Sequence, residues 1–269
     1  MRPGHIESLV DDFGQIVSEV SLENISSAFA PLVDASCETI PEAIGDELSS
    51  LYLYGSIPAA RAVSGRSDLD LLAVLQSEPA GRSRRRITDA ARELEARFPK
   101  LVREVSIAVT WIDEIFHGDR ALGWKVFIRH LCVLLWGDDI AAELPKYRAT
   151  PEVCANLNGD AADVLADLWR QFDAATSEEE HRRIGGMIAR KILRTGMSVV
   201  SARSGEWATS RADIASYLIL YFPEITSDIE LLLHLAEEQE LALVGNVGRL
   251  RGLSQWAVGL ADEELVPFL

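Results

Sequence analysis

The stretch Leu51-Tyr52-Leu53-Tyr54-Gly55-Ser56, followed after eleven residues by Asp68-Leu69-Asp70-Leu71-Leu72-Ala73-Val74-Leu75, decides the fold. The first run is short, aromatic and apolar, which reads as a strand, and Gly55-Ser56 ends it. Leu69 to Leu75 is a continuous apolar run broken only by Asp70, the pattern of a strand buried on both faces. Ser83 to Phe98 has helical spacing, with Ile87, Ala90, Ala91, Leu94 and Phe98 inward and Arg84-Arg85-Arg86 as its solvated start. Val102 to Trp111 alternates, with Val105, Ile107, Val109 and Trp111 on one face of a half-buried strand. The order is therefore strand, strand, helix, strand.

Upstream, His5 to Leu22 has helical spacing through Ile6, Leu9, Val10, Phe13, Ile16, Val17 and Val20, and Pro31 closes that region. A further helix is expected from Pro41 to Leu48, with Pro41 in its first turn. Downstream of Trp136-Gly137 the strand signals stop. Pro151 to Phe172, Glu178 to Ala202, Arg211 to Tyr221, Ile225 to Glu238 and Val247 to Leu260 all read as helices. The expected fold class is α+β, a front domain with a small sheet followed by an all-helical domain. The expected boundaries are an N-terminal helical extension over 1–40, the sheet-bearing domain over 41–145 and the helical domain over 146–269.

Composition agrees with a globular chain of 269 residues, 48% hydrophobic and 25% charged. The net charge of −16 repels a phosphate backbone, so nucleic acid is a poor partner, whereas a cationic ligand is favoured by long-range steering. Cys37, Cys132 and Cys154 are odd in number and widely spaced, which indicates neither a disulfide framework nor a zinc knot. His130 and Cys132 sit two apart with no second ligand pair and read as core residues. There is no signal-like N-terminus and no apolar run near the roughly 20 residues of a membrane span, so a cytoplasmic location away from membranes is expected.

The chemistry lies in the opening stretch. Gly55 ends a strand where the chain turns tightly and a ligand can approach. Free amides there, with the Ser56 hydroxyl, suit triphosphate oxygens, and a helix over Ile57 to Val63 would add its N-terminal dipole. Asp68 and Asp70 stand at i and i+2, which on a strand puts both carboxylates on one face. Two such carboxylates repel unless a cation lies between them, and magnesium, a hard ion preferring oxygen, fits. A third carboxylate is expected from a neighbouring strand. Glu104, in phase with Ser106 and Ala108, is the candidate general base and a further metal contact, with Asp113 in reserve. The competing structural reading makes Ser67-Asp68 a helix cap with Asp70 in the first turn. Neither GxxxxGK[ST], GxGxxG after a strand nor GxSxG occurs.

These residues resemble the nucleotidyltransferase fold of the DNA polymerase β superfamily, and within it the aminoglycoside adenylyltransferases of the streptomycin/spectinomycin type. The resemblance is carried by Tyr54-Gly55-Ser56 through Ser67-Asp68-Leu69-Asp70-Leu71-Leu72, by Arg103-Glu104-Val105-Ser106 and by Leu134-Leu135-Trp136-Gly137-Asp138-Asp139. A looser part covers Ser204-Gly205, Arg211, Ala215 and Pro223. It implies a small mixed sheet, with ATP as co-substrate and Mg2+ as cofactor. It implies Gly55, Ser56 and Ser67 on the ATP phosphates, Asp68 and Asp70 on the metal, and Glu104 as base. It also implies basic residues of the helical domain on the phosphates, for which Arg194 and Arg211 are candidates. The family usually has a small residue, Arg and Gly soon after the Ser. Here Ala60-Arg61-Ala62 comes later and that glycine is absent.

The activity implied is Mg-dependent transfer of AMP from ATP to a hydroxyl of a small cationic acceptor, an aminoglycoside antibiotic, hence antibiotic resistance. For the acceptor, the resemblance points to acidic and aromatic side chains, with Asp163, Asp167, Trp169, Asp173, Glu206 and Trp207 at suitable spacings. Two alternatives stand beside it. One keeps the transfer but changes the acceptor to another small molecule or a protein. The other is a non-catalytic member of the fold that acts by protein–protein contact.

Overall fold

The computed structural model describes residues 6, 8–238, 243 and 245–269. The chain divides into two compact units, residues 17–146 and, joined to the described residues up to Ile16, residues 147–269.

The 17–146 unit is built on four strands. Helix α1 (Ala30–Ile44) leads into β1 (Leu48–Tyr54), then β2 (Leu69–Leu75), α2 (Gly81–Arg97), β3 (Val105–Trp111), α3 (Ile112–His117), α4 (Ala121–Leu131), β4 (Cys132–Gly137) and α5 (Ile140–Glu143). The sheet order is β3-β2-β1-β4. β1 is antiparallel to both β2 and β4, while β2 and β3 are parallel, so the sheet is mixed. The two central strands are buried along almost their whole length, which is why they read as mainly apolar runs. Leu51, Leu53, Leu69, Leu71, Ala73 and Leu75 share a core with Leu32, Ile40 and Ile44 of α1 and Ile87, Ala90 and Leu94 of α2. Asp70, Leu72 and Val74 alternate onto the other face. There Tyr54, the cross-strand partner of Asp70, meets Phe127 of α4 edge-on with ring centroids 5.0 Å apart. β4 is a strand the sequence reading left unassigned.

Two proline readings need correction. Pro31 opens α1 at its first turn instead of closing an upstream helix, and Pro41 lies inside α1 rather than starting a new one. The proline has no N–H for the Cys37 carbonyl, yet the helix continues to Ile44 because Ile40 and Ile44 are buried on its inner face. In α2, Arg86 pairs with Glu47, so the arginine run is only partly a solvated face.

In the other unit, α6 (Pro151–Asn158), α7 (Ala161–Ala174), α8 (Glu178–Ser204), α9 (Arg211–Tyr221), α10 (Thr226–Ala236) and α11 (Val247–Glu264) pack with α8 at the centre. α8 is opened by a full capping box between Ser177 and Glu180 and closed by Gly205 in the left-handed conformation. The helix read over Pro151 to Phe172 is two helices, broken at Gly159-Asp160. Asp160 has a reason to stand there. It accepts a 2.6 Å bond from Lys191, whose residue is 5% exposed in the middle of α8.

The helix expected over His5 to Leu22 does not form among the described residues, and His5 itself lies outside them. The Asp11 carboxylate accepts the amides of Phe13 and Gln15 and builds a turn, with Gly14 at φ +72°. Val10 then bridges to Ile16 and Gln15 to Arg148. Phe13 is 74% exposed, so the apolar stripe is not buried as one face. Side-chain-to-backbone bonding by aspartate has displaced the helical ladder.

Candidate active site

The strand directions place the sequence motif at one end of the sheet. β1 finishes at Tyr54, antiparallel β2 begins beside it with Asp70 opposite Tyr54, and parallel β3 begins at the same end with Ser106 opposite Asp70. The ladder extends one step further. The Leu69 amide donates to the Glu104 carbonyl at 2.9 Å, and the Arg103 amide donates to the Ser67 carbonyl at 3.1 Å. Residues 67–70 are thereby fixed against residues 103–106.

Gly55 has φ +81°, and a Cβ built on it would lie 2.3 Å from Asp70 Oδ2. Both facts require glycine. A side chain would strain the backbone, and it would occupy the space of the carboxylate. The Asp70 carboxylate therefore rests directly over the turn that follows β1.

Asp68 lies just before the first residue of β2 and is half-buried. Its carboxylate is gripped by both arms of Arg103, Nε to Oδ1 at 3.1 Å and Nη2 to Oδ2 at 3.0 Å. The alternative in which Ser67-Asp68 caps a helix does not hold, since a strand follows. Glu104 is exposed at the mouth of β3, one residue before its first paired position. Asp113 lies past the strand, in the first turn of α3. Among the described residues, no three His, Cys, Asp or Glu side chains are grouped as a metal ion would need.

The segment after Ser56 is a series of turns, not the helix expected over Ile57 to Val63. The left-handed Ala60 at φ +56° interrupts any helix there, so no helix dipole acts at Ser56. The turns are instead pinned from upstream. Ser21 N–H and Asn24 Nδ2 both donate to the Pro58 carbonyl at 3.0 Å, and Arg61 pairs with Glu19 at 2.7 Å. These upstream supports were not foreseen in the sequence. Ser67 closes the loop, its Oγ accepting the Val63 amide at 2.9 Å.

In the helical unit, Arg211 donates to the Ala236 carbonyl at 2.7 Å, which Arg190 also reaches at 3.0 Å; both cap α10. Arg194 bonds back to the Arg190 carbonyl at 3.3 Å. Asp163 is exposed, and Asp167 pairs with Arg170. Trp169 is a core residue whose Nε1 donates to Ser254 at 3.0 Å, with the Arg251 guanidinium 4.0 Å from its ring centre. Arg251 also holds Asp173. Glu206 accepts from the Tyr217 hydroxyl at 3.3 Å, and Trp207 is buried.

The chain is thus α+β, with a four-stranded mixed sheet that has Gly-Ser at one strand end and Asp-x-Asp at the start of its neighbour, and with a helical unit besides. No protein-family model matches the sequence, and no curated protein matches it. Among solved structures, the chain is similar to spectinomycin adenyltransferase AAD(9) from Enterococcus faecialis, solved with ATP and spectinomycin. The TM-score is 0.60 at 12% identity, covering 87% of this chain and 99% of that one. At that identity the likeness establishes the fold. No helix among the described residues is long and apolar enough to cross a membrane.

Proposed function

We propose that this protein is an adenylyltransferase that moves AMP from ATP to a hydroxyl of a small cationic acceptor of the aminoglycoside class. One observation carries the reading. The Asp70 carboxylate is seated over Gly55 so closely that a Cβ has no room, which joins an acidic group to a turn of the kind that holds phosphates. Hard oxygen donors at Asp68 and Asp70 suit Mg2+, and the guanidinium on Asp68 marks that carboxylate as a place for positive charge. When bound there, Mg2+ would supply charge neutralisation for the triphosphate and help ionise the attacking hydroxyl.

The rest follows from the chain's own groups. Amides at Gly55-Ser56 and the Ser56 hydroxyl hold phosphate oxygens. Glu104 takes the proton of the acceptor hydroxyl as the oxygen attacks the α-phosphorus in line. The bond from the α-phosphorus to the bridging oxygen breaks, and pyrophosphate leaves. Arg194 and Arg211 are the cationic groups of the helical unit proposed for the phosphates. The net charge of −16 supports a cationic acceptor through steering.

The test is incubation with MgATP and a panel including spectinomycin and streptomycin, read by mass. A shift of one AMP on an acceptor, lost in Asp70→Asn while the fold survives, is the expected result. No adduct on any acceptor together with no binding of MgATP would refute the proposal.

A further inference from the structure

Arg103 takes no part in the transfer step above, yet it makes a two-bond contact with Asp68. Its guanidinium engages Asp68 through two bonds at 3.1 and 3.0 Å, a fork that Lys could not reproduce. The backbone fixes the pair on both sides, through Arg103 N–H to Ser67 and Leu69 N–H to Glu104. The side chains of Arg103 and Asp68 are 30% and 28% exposed, so the contact is partly shielded from solvent. Arg103 also borders an open pocket lined by Gly65, Arg92, Glu95, Pro99 and Val102. Glu95, which lines the same pocket, accepts the Val105 amide at 2.9 Å through one carboxylate oxygen.

A cation cannot take both oxygens of Asp68 while the guanidinium holds them. We propose that Arg103 is an electrostatic latch on the metal site. It neutralises Asp68 in the nucleotide-free protein and swings toward Glu95 when a divalent cation arrives. The latch lowers affinity for the bare cation, so the metal enters with the triphosphate, whose own charge offsets the cost of displacing Arg103. Arg103 is thus a positioning residue that sets the order of loading. This rests on the reading that Asp68 and Asp70 hold the metal.

The test uses Mn2+ alone, titrated calorimetrically into the whole protein without nucleotide. Arg103→Gln should bind Mn2+ about tenfold more tightly than wild type, the size expected from losing one charge-assisted contact of about 1.4 kcal/mol. Arg103→Lys, which keeps the charge but not the fork, should gain roughly two- to threefold and covers the case in which Arg103→Gln does not fold. The melting temperature should rise more on adding Mn2+ to Arg103→Gln than to wild type. Asp70→Asn should remove binding in either background. If Asp70-dependent binding is present but is unchanged or weaker in the Arg103 variants, the latch is wrong and the metal site stands. If Mn2+ binds Asp70→Asn as well as its parent, the metal reading fails and the latch with it.

Discussion

Gly55→Ala is the substitution on which the site stands or falls. Its backbone has φ +81°, where an alanine costs about 1–2 kcal/mol relative to glycine. That is a modest part of the roughly 5–15 kcal/mol that holds a domain, so the protein stays folded. The larger effect is local. The new methyl would begin 2.3 Å from Asp70 Oδ2, whereas ordinary carbon–oxygen contacts begin near about 3.3 Å. The carboxylate must retreat by about 1 Å, and a misplacement of that size typically costs about 10²-fold in rate. Gly14→Ala is the matched control. It sits at φ +72°, with nothing within 4 Å of its added Cβ, and so carries the conformational cost without a displaced carboxylate. The assay is the initial rate of pyrophosphate release with MgATP and a productive acceptor, beside thermal unfolding of both variants. Similar losses of stability are expected, with a hundredfold loss of turnover in Gly55→Ala alone. Turnover within threefold of wild type in Gly55→Ala would refute the assignment of Asp70 to the reacting centre.

Three further outcomes are expected. Glu104→Gln keeps MgATP binding by calorimetry and loses on the order of 10²–10⁴-fold in turnover; if it is normal and Asp113→Asn is not, the base is Asp113. Burial, aided by Arg129 and Lys146, pushes the His130 imidazole down to about 4 from its ordinary 6.5. The unfolded chain therefore binds that proton first. The contribution is complete above pH 6.5 and is lost as pH falls through that window, by about 3 kcal/mol in all, so His130→Phe should flatten stability between pH 7.5 and 4.5 in urea titrations. Asp160→Ala, which removes the carboxylate facing the buried Lys191 ammonium and leaves the neutral Asn158 Oδ1 at 3.4 Å, should destabilise by about 3 kcal/mol, whereas Lys191→Met should change stability by no more than about 1 kcal/mol.

What could be read in advance follows the physics of each segment. β2 is recovered to its residue limits because a central strand is apolar on both faces, and α9 because Ser210 caps it while Pro223 follows its end. β4 escaped because Cys132–Gly137 continues directly from α4 without a turn residue between them, and only its pairing with β1 defines it. The start of β3 was read three residues early, since the apolar Val102 is buried in the core from a non-strand conformation. In the site, Gly55 and Asp70 could be placed at strand ends from the sequence, but their closeness comes from the pairing of β1 with β2, which no local pattern states. The grip of Arg103 on Asp68 was not legible either, because a long side chain from a bend can reach in several directions and periodicity says nothing of which. The pinning of Pro58 and Arg61 by residues 19–24 was equally hidden, because it joins segments distant in sequence through carbonyls that every residue carries.

The topology explains how little sequence such a site demands. With β1 antiparallel to β2, the C-terminal end of one strand and the N-terminal start of the next necessarily meet, whatever the length of the loop between them. With β3 parallel to β2, its own start falls at the same end. Gly55, Asp70 and Glu104 are therefore brought to one edge by strand direction alone. The eleven residues from Ile57 to Ser67 can depart from a family's usual loop without moving them. Away from that edge the sheet asks only for apolar side chains of suitable volume at buried positions, a requirement many different residues satisfy. A shared fold at 12% identity, with no family model matching, is what such permissive constraints leave behind. It follows that exchanges within the buried strands, such as Leu72→Met, should shift stability by less than about 1.5 kcal/mol and leave turnover alone. Deletion of Leu71 would move Asp70 off its face and should abolish turnover.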